Sequence, residues 1–175
     1  MPLLGLNTTL LAENAINLMT GFEFDGLDII AAMATDDDVA ALQTLLSYLQ
    51  ARFLGLMDEH SRSYGLSLVV PCQSDSISYS QDIINLVNSV GELNLLTFDS
   101  NMSAESEVAA RQISVSSNET SDNVNYSVDA CVNVWETRGI SRHNINVGLA
   151  QEDEESIFEE VEYGFTKGLN GFFIW

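Results

Sequence analysis

Two carboxylates stand inside an apolar run, Gly21-Phe22-Glu23-Phe24-Asp25-Gly26-Leu27-Asp28-Ile29-Ile30. Asp-x-x-Asp on a buried strand is costly unless the charges are paired or used, so Asp25 and Asp28 mark a candidate site. The structural alternative assigns Asp25 to the Asp-Gly turn and Asp28 to an interior hydrogen bond. Other chemistry is sparse. Cys72 and Cys131 lie far apart and match no metal spacing; they read as two buried free thiols, with a disulfide as the less favoured alternative. His60 and His143 fall at a helix end and in a loop, where exposed, non-catalytic roles are expected. No serine forms a nucleophile arrangement with either histidine. The run Glu152-Asp153-Glu154-Glu155 lacks the glycine turn and alternating ligands of a calcium loop, and reads as a solvated helix start. No metal or other cofactor is expected.

These residues depend on the elements that carry them. Leu10, Leu11, Ala15, Ile16, Leu18 and Met19 fall on helical spacing and predict a helix over 9–20. Phe24 to Ile30 then reads as a strand. Thr35-Asp36-Asp37-Asp38 caps a long amphipathic helix running to about Glu59, with Val39, Leu42, Leu45, Leu46, Leu49, Phe53 and Leu56 on its apolar face. Leu66 to Val70 is a short strand stopped by Pro71. Asp82 to Val90 is a helix, and Leu93 to Phe98 a strand ending at Asp99. Residues 100–124 have no period and mark a long surface loop. Val128 to Thr137 is helical, with Trp135 expected in the core. Ile145 to Leu149 is a strand, Glu154 to Thr166 an acidic helix, and Gly171 to Trp175 a final strand.

Strict helix–strand alternation with continuous apolar strands predicts an α/β fold, a parallel sheet with crossover helices. In such folds functional residues lie at the C-terminal ends of the strands. That rule selects Asp28 and its successors, Cys72 and Gln73, Asp99, and Trp175.

Composition narrows the partners. The 175 residues are 46% hydrophobic with two prolines, enough for one domain with a sizeable core. The chain has 26 Asp and Glu against 6 Lys and Arg, a formal net charge of −20. Nothing here neutralises a phosphate backbone, so nucleic acid is excluded as a partner. Anionic membrane surfaces are disfavoured for the same reason; neutral ligands such as sugars are compatible. No run of about 18 apolar residues exists to span a membrane. Met1 to Asn7 lacks the basic region and apolar core of a signal peptide. Asn-x-Ser/Thr sequons at Asn7, Asn101, Asn118 and Asn125 point weakly to a secretory, extracellular history.

With the strands in place, Phe24-Asp25-Gly26-Leu27-Asp28-Ile29 resembles the start of the Asp-Gly-x-Asp-x-Asp-x-Glu signature of glycoside hydrolase family 18, the chitinases and chitinase-like lectins. Leu66 to Pro71 is similar to that family's fifth barrel strand. Leu93-Asn94-Leu95-Leu96-Thr97-Phe98-Asp99 resembles its Asn-x-Met-Thr-Tyr-Asp segment on the sixth. Val128 to Trp135 with Ile145 to Leu149 resembles the helix and seventh strand. Gly168 to Trp175 resembles the eighth strand, which ends in the tryptophan flooring the sugar site. The resemblance covers most of the chain in collinear order. It implies a (β/α)8 barrel, present here as about five strand–helix units matching the fourth to eighth strands. A complete barrel takes about 250 residues, so the first three strands would precede residue 1. The small inserted domain of many members is absent between Leu149 and Gly171.

The resemblance also implies a ligand, chitin or N-acetylglucosamine oligosaccharide, and substrate-binding roles for Asp99, Phe98 and Trp175. Its departures are equally informative. Past Asp28 the family has an Asp and then the catalytic Glu, where this chain has Ile30 and Ala32. Residues 28, 30 and 32 share one strand face by the period of two. In the family the Glu protonates the glycosidic oxygen while the substrate's own N-acetyl group attacks, oriented by the neighbouring Asp. Ala32 has no proton to give, and Phe98 replaces the tyrosine that would hydrogen-bond the acetamido group. General acid catalysis is typically worth about 10²–10⁴-fold, so hydrolysis should be badly impaired. Asp36, Asp37 and Asp38, at the next helix start, serve better as caps than as a relocated acid. The expectation is a chitinase-like protein that binds without hydrolysing. The alternatives are an active glycosidase with a relocated acid and a non-functional barrel fragment.

Overall fold

The computed structural model describes residues 7–30, 36–72, 81–99, 111–112, 127–149 and 154–174. The elements run α1 (Thr8–Gly21), β1 (Gly26–Ile30), α2 (Asp36–His60), β2 (Gly65–Pro71), α3 (Gln81–Ser89), β3 (Glu92–Leu96), β4 (Phe98–Asp99), β5 (Arg111–Gln112), α4 (Val128–Thr137), a 3₁₀ turn (Arg142–Asn144), β6 (Ile145–Leu149), α5 (Glu154–Lys167) and β7 (Gly171–Ile174). The predicted alternation is therefore present. Five strands form one sheet in the order β1-β2-β3-β6-β7, which follows the chain, as expected when each strand returns parallel through a helix.

Two compact units divide these elements, with the boundary inside β2 after Leu68. The first holds α1, β1, α2, the start of β2, and α3. Asn7 caps α1 by accepting the Leu10 N–H at 3.0 Å. Ala12, Ile16 and Met19 bury one face of α1, and Val39, Leu42, Leu45, Leu46, Leu49, Phe53 and Leu56 bury one face of α2. Those α2 residues are the set read from the helical period. Outside this face, Glu13 of α1 accepts hydrogen bonds from Tyr48 at 2.7 Å and Arg52 at 2.8 Å.

The second unit holds the end of β2 with β3 to β7, α4 and α5. Leu93 and Leu95 of β3, Val128, Val132 and Trp135 of α4, and Ile145 and Val147 of β6 are buried. Trp135 is thus a core residue, as read from its mid-helix position. Strands β3 and β6 pair in parallel with Leu93, Asn94 and Leu95 opposite Ile145, Asn146 and Val147. Strand β7 pairs with β6 in turn, Asn146 opposite Gly171 and Leu149 opposite Ile174. Ser127 caps α4 by accepting the Ala130 N–H. Helices α4 and α5 are followed by Gly139 and Gly168 at φ +92° and +69°, the left-handed backbone that ends a helix at least cost in glycine.

Three expectations are corrected. Cys72 and Cys131 are not free thiols but form a disulfide, with Cα atoms 5.2 Å apart. Sequence separation hid the pair; the parallel fold returns α4 to the C-terminal end of β2. Within the 100–124 stretch, read as a loop without period, Arg111–Gln112 pairs antiparallel with Phe98–Asp99, two residues being too few to give a period. Strand β1 is not buried: Gly26, Leu27 and Ile29 are half-buried while Asp28 and Ile30 are exposed. Among the described residues it stands first in the sheet order, beside β2. Residues Ala32, Gln73, Trp175, Glu152 and Asp153, and the sequons at Asn101, Asn118 and Asn125, lie outside the described residues.

Candidate functional site

The chain enters β1 through a corner built from the last turn of α1. The Phe22 and Phe24 N–H groups donate to Leu18 O and Met19 O at 3.0 and 2.9 Å, and Glu23 adopts φ 60°. Asp25 follows, almost wholly exposed, with its carboxylate paired to Arg62. The same guanidinium donates to the Glu23 carbonyl at 3.0 Å and stacks 5.7 Å from the Tyr64 ring. The Gly65 N–H donates to the Asp25 carbonyl at 2.8 Å. A Cβ on Gly26 would overlap the Gly65 carbonyl oxygen and lie 2.8 Å from its carbon. Glycine at 26 is thus required by close backbone approach, and Asp25 stands at the corner that leads into it.

Asp28 accepts a hydrogen bond from Ser67 Oγ of β2 at 2.8 Å. The bond exists, but on an exposed face rather than in the interior, so the desolvation cost assumed for a buried carboxylate is small. Ile30, two residues on, is 55% exposed and shares that face. The face therefore carries one carboxylate and then an apolar side chain where a second carboxylate would serve an acid–base mechanism. Phe98 and Asp99 form β4 in the second unit. Among the described residues no group of three or more His, Cys, Asp or Glu could hold a metal ion.

Two sets of residues were missed. Arg62 and Ser67 hold the two aspartates. Ser67 was foreshadowed by its place inside the Leu66 to Val70 run, whereas Arg62 sits in an irregular turn with no pattern to flag it. The second set is a polar row across β3, β6 and the residue before β7, buried at Asn94 and Asn146. Asn146 Nδ2 donates to Asn94 Oδ1 at 2.8 Å and to Glu92 Oε2 at 2.9 Å. Asn146 Oδ1 accepts from Asn170 Nδ2 at 2.9 Å, and the Asn170 N–H donates to the Ile145 carbonyl. Beside it, Thr97 Oγ1 donates to the Gly148 carbonyl at 2.6 Å. A polar residue inside each apolar strand, Leu93-Asn94-Leu95 and Ile145-Asn146-Val147, is the same signal that flagged Asp28.

With this geometry in place, comparison with known proteins is informative. The family model described as Glycosyl hydrolases family 18 matches residues 6–151. No curated protein sequence matches. Among solved structures, the family 18 N-acetylglucosaminidase from Paenibacillus barengoltzii superposes with a TM-score of 0.75 at 17% identity, over 94% of this chain and 69% of that one. A GH18 chitinase from Cycas revoluta in complex with (GlcNAc)3 gives 0.73 at 13%, over 96% and 68%. Chitinase ChiW from Paenibacillus sp. str. FPU-7, a multi-modular cell-surface-expressed enzyme, gives 0.73 at 15%, over 94% of this chain. The chain spans only 27% of that enzyme's length. At these identities the likeness gives the fold: five parallel strands with their helices, an incomplete (β/α)8 barrel.

Proposed function

The chain belongs to family 18 of the glycosyl hydrolases, and from that membership we propose that it is a chitinase-like protein that binds chitin or N-acetylglucosamine oligosaccharides with catalysis impaired. The observation that carries this reading is Ile30, exposed on the face of β1 that bears Asp28. In the family's mechanism, that face supplies one carboxylate to orient the substrate's N-acetyl group and another to protonate the leaving oxygen. Here the orienting position is a hydrocarbon, and the acid position, by the same alternation, is Ala32. A relocated acid would have to come from Asp36, Asp37 or Asp38. These open α2, and the Asp38 side chain is buried, so they suit the helix N-terminus.

A sugar ligand is supported by the oligosaccharide complexes of the similar structures, including YKL-39 with (GlcNAc)4. Asp99, Phe98 and Trp175 are the proposed contacts. A flat indole face at Trp175 suits the C–H groups of a pyranose, so Trp175→Ala should weaken oligomer binding while leaving the fold intact. An extracellular setting is supported by the Cys72–Cys131 disulfide, a bond that persists in oxidising compartments.

Titration with N-acetylglucosamine tetramer should give saturable binding, while a fluorogenic chitobioside should show no turnover. Efficient cleavage by the native chain would overturn the proposal. The double substitution Ile30→Asp with Ala32→Glu should raise cleavage from that baseline, because it restores both missing carboxylates. Native turnover unchanged by the pair would instead indicate a relocated acid. Failure to bind sugar, together with the lack of a cooperative thermal transition, would identify a non-functional fragment.

A further inference from the structure

The two sulfurs of the Cys72–Cys131 disulfide have unequal surroundings. Cys72, just past the C-terminal end of β2, is half-buried, whereas Cys131, in the first turn of α4, is 2% exposed. Strand β2 lies between β1 and β3 in the sheet, so this end of the bond does not stand at an open sheet edge. Thiol–disulfide exchange proceeds by attack of a thiolate on one sulfur, and its rate depends on access to that sulfur. Access favours Cys72 as the point of attack and leaves Cys131 as the departing thiolate.

How far an opening spreads depends on what each element keeps without the bond. Val69 and Val70 of β2 are buried. On α4, Val128, Val132 and Trp135 are buried, Ser127 caps the helix, and Asp129 accepts from Tyr163 and Lys167 of α5. None of these contacts runs through a sulfur atom. Breaking the bond therefore unties the end of β2 from the first turn of α4 and leaves both elements in place.

We propose that the Cys72–Cys131 bond is a thiol-responsive latch, opened by a low-molecular-weight thiol at Cys72, and that Cys72 is a site of reversible S-thiolation. The thiolate forms a bond to Cys72 Sγ as the Cys72–Cys131 bond breaks, and the electron pair passes to Cys131 Sγ, which takes a proton. A second thiolate then attacks the small-molecule sulfur of the mixed disulfide and releases Cys72 as a thiolate. Two thiols are oxidised to one disulfide, and the protein gains the two electrons. At a formal net charge of −20 the protein repels anionic thiols, so a cationic aminothiol is the favoured class. This inference is independent of the sugar-binding proposal.

The test treats the intact oxidised chain with cysteamine, quenches in acid, and maps the adduct by peptide mass spectrometry, with mercaptosuccinate as the anionic control. The mixed disulfide should sit on Cys72 roughly tenfold or more over Cys131, following access. Mercaptosuccinate should react more slowly, with the gap narrowing as salt is raised. Amide exchange in the reduced chain should quicken at Val70, and at Ala130 and Cys131, whose N–H groups bond to Ser127. Exchange at Ile145–Leu149 and the far-ultraviolet circular dichroism should stay unchanged. Three results would overturn the latch. One is an adduct shared equally or found mainly on Cys131. Another is reduction that begins only as the circular dichroism is lost, which would mean that the fold protects the bond. The last is two free thiols in the untreated chain. Equal rates for the two reagents would overturn the choice of an aminothiol.

Discussion

Gly26 and Gly55 show how one residue type can be required at one place and replaceable at another. A Cβ at Gly26 meets the Gly65 backbone, which cannot withdraw without separating β1 from the start of β2. Gly26→Ala should destabilise the chain by about 1–3 kcal/mol, the usual cost of overpacking. Gly55 lies inside α2, near its C-terminal end, with nothing within 4 Å of an added Cβ. Gly55→Ala should stabilise by about 0.5–1 kcal/mol, through helix propensity alone. Urea unfolding of the two variants beside the parent tests both signs. The Asp25–Arg62 pair, by contrast, is largely solvated. Its removal by Arg62→Ala should leave the urea midpoint nearly unchanged. The aspartates were legible in the sequence because charge in an apolar run is rare, and Ser67 was foreshadowed by its place inside an apolar strand; Arg62 was not, because an arginine in an irregular segment carries no such contrast.

Among the elements, the register of β3, β6 and β7 is fixed by the asparagine row. Asn146 sits at its centre, donating to Glu92 and Asn94 and accepting from Asn170. A slip by one residue would break the bond between the buried side chains of Asn94 and Asn146. Asn146→Leu, similar in size but without hydrogen bonds, removes the group that bridges Glu92, Asn94 and Asn170 and should destabilise the chain by about 1–3 kcal/mol in chemical denaturation. Helices α4 and α5 are joined by a second polar cluster. Asp129 accepts from Lys167 at 2.8 Å, Tyr163 at 3.0 Å and Asn133 at 2.9 Å. The hydrogen bond from Lys167, followed by those from Tyr163 and Asn133, outweighs desolvation and holds the Asp129 carboxyl below its ordinary value. Burial, then the bond to Asp129, raises the Tyr163 phenol. The sign for Asp129 follows from proton binding. Below the ordinary value of about 3.9, the unfolded chain takes up protons that the folded chain refuses, so stability falls as pH drops through that window. Thermal midpoints measured from neutral pH into that range should fall less steeply for Asp129→Asn than for the parent.

For the whole molecule, the disulfide is the largest single constraint that the sequence did not reveal. It closes a span of 59 residues from the C-terminal end of β2 to the first turn of α4. Chain entropy alone assigns such a closure about 4 kcal/mol, so reduction, or Cys72→Ser with Cys131→Ser, should lower the thermal midpoint by many degrees. A midpoint unmoved by reductant would show that the bond does not form in solution. The sequence by itself determined the alternation of elements, the buried face of α2, the place of Trp135 in the core, and the family, since these rest on local periodicity and on collinear motifs. Only the tertiary structure decided that β1 is half-exposed, that Cys72 meets Cys131, that three asparagines form one row, and that Phe158 and Phe165 face solvent. The physical reason is distance along the chain. Each of these depends on residues that hydrogen bonding and packing bring together, and neither period nor composition records which segment lies alongside which.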